Sequence, residues 1–497
     1  MSSDTKKFIK GVTSGYAFTI ISMLVSLWMV PFTLKYLSKP EYGIFAIITD
    51  LLGWLSIANL GITSAFNSKG AQLLGTKNYN ELNVVLSTTF FSQLFSALLI
   101  VIIGIFLVWN PNLLFGDIGS LEHIGIVVAL TVLSFIISYV MQPLNSLLIA
   151  DKQIHIDNYL RFGLLALRTI LTIVFLISGF KLVSIAFSNL IGTLIIAIIT
   201  WIRAKKTLSF AKIEFRLWQK SVFQFLLKNG IWFTIGGIAG ILILRMDAFL
   251  IGKYISLAVV ANFTISSKLY QIASNIHQQF FNTTRPYFSQ IYGKNNFKKL
   301  NQLYDLVYYS SFLTAFIFGV FIFVLNKWFI GWWVGPEFYI GDKINLLIAI
   351  NFILQSVVLP NRIILATTLL HIEIHNITRV LEGIIKIIIS LLFIEEFEIS
   401  GILIASIIST LLFSNSILNY IISKKIFNSL ILSKLFPFIF IFLLYPIIFF
   451  ERTLFMYIII LILTLGLTIL SYHYIGGKVV FIENFEKIKL AFNKKKS

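Results

Sequence analysis

The chain has 497 residues, of which 58% are hydrophobic and 15% aromatic but only 12% charged, about half the charged share of an ordinary soluble domain. A set of soluble domains cannot bury that much apolar surface, and the absence of cysteine removes disulfides, thiolate metal sites, iron-sulfur clusters and thiol catalysis together. The formal charge of +19 invites a nucleic-acid reading or a topological one, and the placement of the charges decides between them.

In chain order, Lys6, Lys7 and Lys10 precede an apolar run too long for a signal-peptide core and without a small-residue cleavage site, so it reads as a retained first helix. Polar and turn-forming breaks then predict spans near 12–37, 43–68, 84–109, 124–150, 159–177 and 183–202. A second set is predicted near 229–251, 256–283, 303–325, 344–368, 377–394 and 400–422, and a last pair near 435–450 and 454–475. The expected fold is therefore all-α: a polytopic membrane protein of about fourteen helices. Its parts are an N-terminal six-helix bundle (1–202), a basic cytoplasmic linker (203–228), a second six-helix bundle (229–422), and two final helices with a basic cytoplasmic tail (423–497).

With both termini cytoplasmic, the inner segments hold 28 of the 40 basic residues and the outer segments 7, when Lys35, Arg161 and Arg379 are added to the loops they adjoin. This is the positive-inside bias, so the basic excess is topological and no nucleic-acid partner is expected. The linker carries Arg203, Lys205, Lys206, Lys212, Arg216 and Lys220 among apolar residues and is expected along the inner surface as an amphipathic segment. Trp328, Trp332 and Trp333, in the longest predicted outer loop, suit interfacial anchoring.

The halves repeat at a constant offset of 218: Lys35 and Tyr36 match Lys253 and Tyr254, Ser38 matches Ser256, Phe45 matches Phe263, Asn158 matches Asn376, Arg161 matches Arg379, and Arg168 matches Lys386. Pro143 and Pro360 fall in equivalent helices at an offset of 217. With six spans in each repeat the halves keep one orientation, which predicts a pseudo-two-fold axis along the membrane normal, as in transporters.

Five bases fall within predicted spans: Arg168, Lys268 and Lys386 near their centres, Arg245 in an outer half and Arg362 in an inner half. Each costs about 2.5 to 3.5 kcal/mol at mid-bilayer on insertion scales. Only three acids, Asp50, Asp247 and Glu382, stand against them. Glu382 and Lys386, four apart, can pair along one helix, whereas Asp247 and Arg245, two apart, face differently. If each acid takes one base, two cations remain, which suits a cavity for an anion. Arg161 with Arg168, and Arg379 with Lys386, are seven apart and share a helical face, the lower member of each pair being placed to snorkel. Gly236 and Gly240 have small-xxx-small spacing, read as helix packing. His371, Glu373 and His375 offer two ligands on one face but no third, and no paired carboxylates or nucleophile constellation occurs in the outer loops, so no metal and no enzymatic activity are expected.

Leu37, Ser38, Glu41, Tyr42 and Gly43 after the first span, Leu60, Gly61 and Ile62 late in the second, and Asp247, Gly252, Ala261, Phe263, Ser267, Lys268 and Leu269 in the second half carry a resemblance. Together they resemble the polysaccharide and O-antigen repeat-unit flippases of the multidrug/oligosaccharidyl-lipid/polysaccharide exporter superfamily, although Asn262 stands where glycine or isoleucine is more usual. The resemblance implies a flippase moving undecaprenyl-pyrophosphate-linked oligosaccharide from the inner to the outer leaflet of a bacterial cytoplasmic membrane, beside other polysaccharide-assembly membrane proteins. Arg168, Lys268 and Lys386 would then hold the phosphates, with Arg362 at the inner entrance and Arg245 toward the outer exit. Asp50, Asp247 or Glu382 would bind a coupling proton or sodium ion, with no other cofactor. A multidrug exporter of the same superfamily shares the topology but wants a surplus of buried acids. A membrane polysaccharide polymerase or ligase would need richer outer loops.

Overall fold

A computed structural model describes residues 3–115, 123–150, 154–207, 210–368 and 372–422. The last two predicted spans and the basic tail lie outside the described residues. Contacts divide the chain into two compact units, one ending at Thr264 and one beginning at Ile265.

Apolar runs this long form helices because only a helix satisfies every backbone donor and acceptor within one lipid-exposed segment. The first unit contains α1 (Ser3–Leu34), α2 (Lys39–Leu55), α3 (Ile62–Gly75), α4 (Tyr79–Trp109), the short α5 (Asn112–Phe115), α6 (Ile124–Ala150), α7 (Ile154–Ile177), α8 (Lys181–Thr207), α9 (Lys220–Leu244), α10 (Asp247–Tyr254) and most of α11 (Leu257–Ser266). The second has α12 (Lys268–Asn282), α13 (Arg285–Gly293), α14 (Phe297–Trp333), α15 (Asp342–Val357), α16 (Leu359–Thr368), α17 (Ile372–Thr410), a π-helical turn (Leu411–Ile417) and α18 (Leu418–Ile421). Among the described residues, nine helices are long and apolar enough to cross a membrane. Leu98, Leu99, Ile102 and Phe106 of α4 are more than half exposed, an arrangement that suits lipid and not water.

Local chemistry sets the helix starts. Ser38 and Glu41 close a capping box at the head of α2, each side chain bonding the other's backbone N–H. Asn78 caps α4 by accepting from the Glu81 N–H, and Asn296, 218 residues later, caps α14 by accepting from the Lys299 N–H. The residue before each cap has a left-handed backbone, Lys77 at φ 56° and Asn295 at φ 52°. His123 (φ 66°) and Gly341 (φ 97°) precede α6 and α15 in the same way. The starts of α2, α4, α6 and α7 thus recur, at 218, as those of α11, α14, α15 and α17.

In the first unit α6 packs on α4 and α8, and α7 on α1 and α8. Ile62, Phe66, Leu82, Leu86, Leu147 and Leu226 form the densest core there. In the second, α14 packs on α15 and α12, and α15 on α17. Close approach requires glycine at two points. A Cβ on Gly43 would overlap the Leu257 carbonyl, and one on Gly61, at φ 66°, would overlap that of Gly230.

Several boundaries differ from those predicted. The span predicted at 229–251 begins at Lys220 and breaks at Arg245, whose φ of −125° and ψ of 4° end α9. The span at 256–283 is interrupted at Ser267, so Lys268 opens α12 and is not mid-helix. The tryptophan segment is helical to Trp333, with Trp328 and Trp332 stacked and exposed. The predicted helix contact at Gly240 is not made among the described residues, since a Cβ there, as at Gly237, would meet nothing within 4 Å.

The predicted linker is more than a connection: α8 runs to Thr207, α9 starts at Lys220, and a strap of residues 210–219 lies along α4, with Phe210, Ala211 and Ile213 packed on the core and Lys212 and Arg216 exposed. Buried Asn83 donates to the Phe210 carbonyl (3.0 Å) and accepts from the Lys212 N–H (2.9 Å), while Ser87 accepts from the Glu214 N–H (3.1 Å). Thr88 accepts from the Gln219 N–H (3.2 Å), and Ser92 from the Trp218 indole (3.2 Å). Polar residues near the head of α4 are therefore the partners of a backbone without its own.

Candidate functional site

Apart from Lys268, the predicted intramembrane charges gather in three places, each within one unit. In the first unit, Arg245 at the end of α9 donates Nη1 to Asp50 Oδ1 of α2 at 3.2 Å. Gly53, one turn on from Asp50, lets the arginine stem pass: a Cβ there would sit 2.6 Å from Arg245 Cδ. Asp247 lies close enough to act electrostatically on Asp50. Two of the three predicted ion-coupling acids are thus near each other, with Arg245 between a binding role and a neutralising one.

Arg168, on α7, stands apart. Its Nη2 donates to Thr193 Oγ1 of α8 at 2.7 Å, and its buried Nε has no hydrogen-bond partner among the described residues. Gly192 makes room for it, as a Cβ would come within 2.9 Å of Arg168 Cγ. The guanidinium is held by one neutral hydroxyl, which orients it without cancelling its charge.

The second unit holds the densest network. Glu382, fully buried on α17, accepts from Thr410 Oγ1 at 2.9 Å, from Ser414 Oγ, and at the long distance of 3.5 Å from Gln355 Nε2. Gln355 Nε2 also donates to Thr410 (2.7 Å), and its carbonyl accepts from Arg362 Nη2 of α16 (2.6 Å). Lys386, 1% exposed, follows Glu382 by one turn. The carboxyl group is thus surrounded by hydroxyl and amide donors and lies close enough to act electrostatically on Arg362 and Arg379. Ser414 reaches it from the π-helical turn 411–417, which shifts side chains by one position. Sequence reading missed Gln355, Thr410 and Ser414. The four-residue spacing of Thr410 and Ser414 was the available signal, but serine and threonine in membrane helices more often bond their own backbone.

Lys268 is half-buried at the interruption between α11 and α12. Of the weighed metal trio, His371 lies outside the described residues, Glu373 is exposed and His375 buried.

The sequence model of the family described as polysaccharide biosynthesis protein matches residues 35–339. The chain belongs to this family. No curated protein matches the chain by sequence. Among solved structures, this polysaccharide biosynthesis protein is similar to an inward-facing multidrug resistance MATE family transporter of the MOP superfamily. The TM-score is 0.67 at 13% identity, over 80% of this chain and 95% of that one. It is also similar to the Lipid II flippase MurJ in an inward closed conformation, with a TM-score of 0.65 at 17% identity over 94% and 97%. The outward-facing MATE transporter gives 0.57 at 13% identity over 83% and 94%. At these identities the likeness establishes the fold: an all-α polytopic membrane protein with the architecture of that superfamily.

Proposed function

We propose that this protein is a flippase that carries undecaprenyl-pyrophosphate-linked oligosaccharide repeat units, of the O-antigen kind, from the inner to the outer leaflet of a bacterial inner membrane by alternating access, with both termini cytoplasmic. The observation that supports this reading most is the charge balance of the membrane-embedded groups. Arg168 has only a hydroxyl partner among the described residues, and in the second unit Glu382 acts on two guanidinium groups, Arg362 and Arg379, whose Nε atoms have no hydrogen-bond partner among the described residues. Burying such a surplus is costly unless an anion shares the site. A pyrophosphate on a lipid carrier is such an anion, and the family's tie to polysaccharide biosynthesis and the fold shared with a Lipid II flippase point to a lipid-linked sugar.

Arg168, Lys268, Lys386 and Arg362 would bind the phosphates. Arg245 would do so only when released from Asp50, which makes the Asp50, Arg245 and Asp247 group the natural place for a coupling proton or sodium ion to compete, with Glu382 as the second. Transport of this kind needs no covalent step, and the cargo would pass to and from other polysaccharide-assembly membrane proteins. A multidrug exporter of cations would want the opposite surplus, of acids. The test is reconstitution in vesicles with a fluorescent undecaprenyl-diphosphate oligosaccharide in one leaflet. Transfer to the other leaflet should require the protein and slow when the proton or the sodium gradient is collapsed. Export of cationic dyes with no transfer of the lipid would overturn the reading.

A further inference from the structure

Helix α7 opens with an ion pair: Arg161 Nε donates to Asp157 Oδ2, one turn earlier, at 2.8 Å. The same register of α17, 218 residues later, holds Arg379 and His375. The arginine is kept and its acid is replaced by an imidazole. A second guanidinium joins them, because α16 packs on α17 and carries Arg362. Both arginines act electrostatically on His375, and Arg379 acts on Arg362.

Arg362 spends Nη2 on Gln355, but its Nε, the Nε of Arg379 and Nδ1 of His375 are buried with no hydrogen-bond partner among the described residues. Glu382 acts electrostatically on both arginines, but its oxygens already accept from Thr410, Ser414 and Gln355. Stability alone would be served by an acid, as Asp157 serves the first repeat. Two like charges and two open guanidinium N–H donors, beside an imidazole nitrogen without a partner, suit instead an acceptor-only group with several oxygens, and guanidinium forks match phosphate geometry.

We propose that Arg362, Arg379 and His375 form a phosphate-binding site where α16 meets α17, which takes the phosphate group of a lipid. The source is either the diphosphate of a carrier lipid, which rests on the flippase reading, or the headgroup of an anionic phospholipid, which does not.

Native mass spectrometry of the full-length protein in detergent tests this, with undecaprenyl diphosphate and phosphatidylglycerol titrated separately. Arg362→Gln and Arg379→Gln should each weaken binding by about tenfold or lose one bound copy, the scale of one charge-assisted hydrogen bond. Arg379→Lys should fall between them and the wild type, and Arg161→Gln, the matched change in the first repeat, should bind as the wild type does. Preference for undecaprenyl diphosphate assigns the site to cargo, and preference for phosphatidylglycerol assigns it to a bound membrane lipid; both support a phosphate site. Should a glutamine variant not fold, His375→Leu, which removes the imidazole and leaves both guanidinium groups, is read by the same loss. Wild-type binding of both lipids by the folded variants, or no binding by the wild type, overturns the proposal. A protein that binds here yet transfers no lipid refutes the flippase and keeps the site, whereas transfer with wild-type binding in Arg379→Gln does the reverse.

Discussion

Arg168 and Lys386 stand fourteen residues into α7 and α17, the same place in two repeats, yet their surroundings share little. One turn before Arg168 is Leu164, and one turn before Lys386 is Glu382. Arg168 leans on Thr193 and is half-buried, whereas Lys386 is all but sealed beside a carboxylate that gathers donors from α15, α17 and the π-helical turn. A repeated backbone thus fixes where a cation stands, and single neighbours fix what it costs to keep it there. The two should answer mutation differently.

The largest effect is expected at Glu382. Glu382→Leu, which copies Leu164, leaves Thr410, Ser414 and Gln355 without their acceptor and the nearby cations without an acid. Breaking a buried charge set from one side costs about 3 to 5 kcal/mol, read as a fall in expression and melting temperature. An unchanged melting temperature would show that the network does not hold the second unit together.

Arg168→Ala should do the opposite. No acid pairs with Arg168 among the described residues, so its removal strands nothing and relieves a desolvation cost of a few kcal/mol. The variant should fold and insert normally and lose lipid transfer, with Arg168→Lys partly active as a point charge. A destabilised Arg168→Ala would erase the contrast with Glu382. Normal folding with normal transfer would remove Arg168 from the binding residues.

Much of this frame was legible in the sequence. Matches such as Asn158 with Asn376 and Arg161 with Arg379 set the offset of 218, at which helix starts and left-handed caps recur. Apolar length marks a span wherever the helix runs straight. It is blind to the break at Arg245 and the interruption at Ser267, because a local departure from helical backbone angles leaves the composition of the run unchanged. The pairing of Arg245 with Asp50 was equally hidden, being set by tertiary packing of helices 195 residues apart. The alternation of basic and apolar residues in the strap was legible, but not what holds its backbone, because Asn83 and Ser87 lie far back in the chain.

That strap can be tested against the matched positions of the second repeat. The positions on α14 that match Asn83 and Ser87 are Asn301 and Asp305, and the segment that would match the strap lies outside the described residues. Asn83→Ala should remove two hydrogen bonds to the strap and leave the Lys212 N–H unpaired, for about 1 to 3 kcal/mol. A cysteine introduced at Ile213 in this cysteine-free chain should then react faster with a thiol reagent. Asn301→Ala should leave that labelling rate unchanged. Equal rates with and without Asn83→Ala would mean that the strap is held by its apolar contacts.

The smallest effect is expected where the contrast between the repeats is sharpest in chemistry. Arg161 is more than half exposed and Asp157 mostly buried, so Asp157→Asn should cost only about 0.3 to 0.5 kcal/mol, the scale of a one-turn helical pair open to solvent. The reciprocal change, His375→Asp, writes that pair into the second repeat, where Arg379 Nε has no partner among the described residues. Away from solvent, an added carboxylate meets two guanidinium groups, and its attraction to them must exceed its own desolvation for the protein to gain. A raised melting temperature with loss of the bound phospholipid or carrier lipid would show that the imidazole keeps the site open for a phosphate. A lowered melting temperature with lipid binding intact would show that Arg362 and Arg379 are balanced without any ligand, and that His375 is there for packing alone.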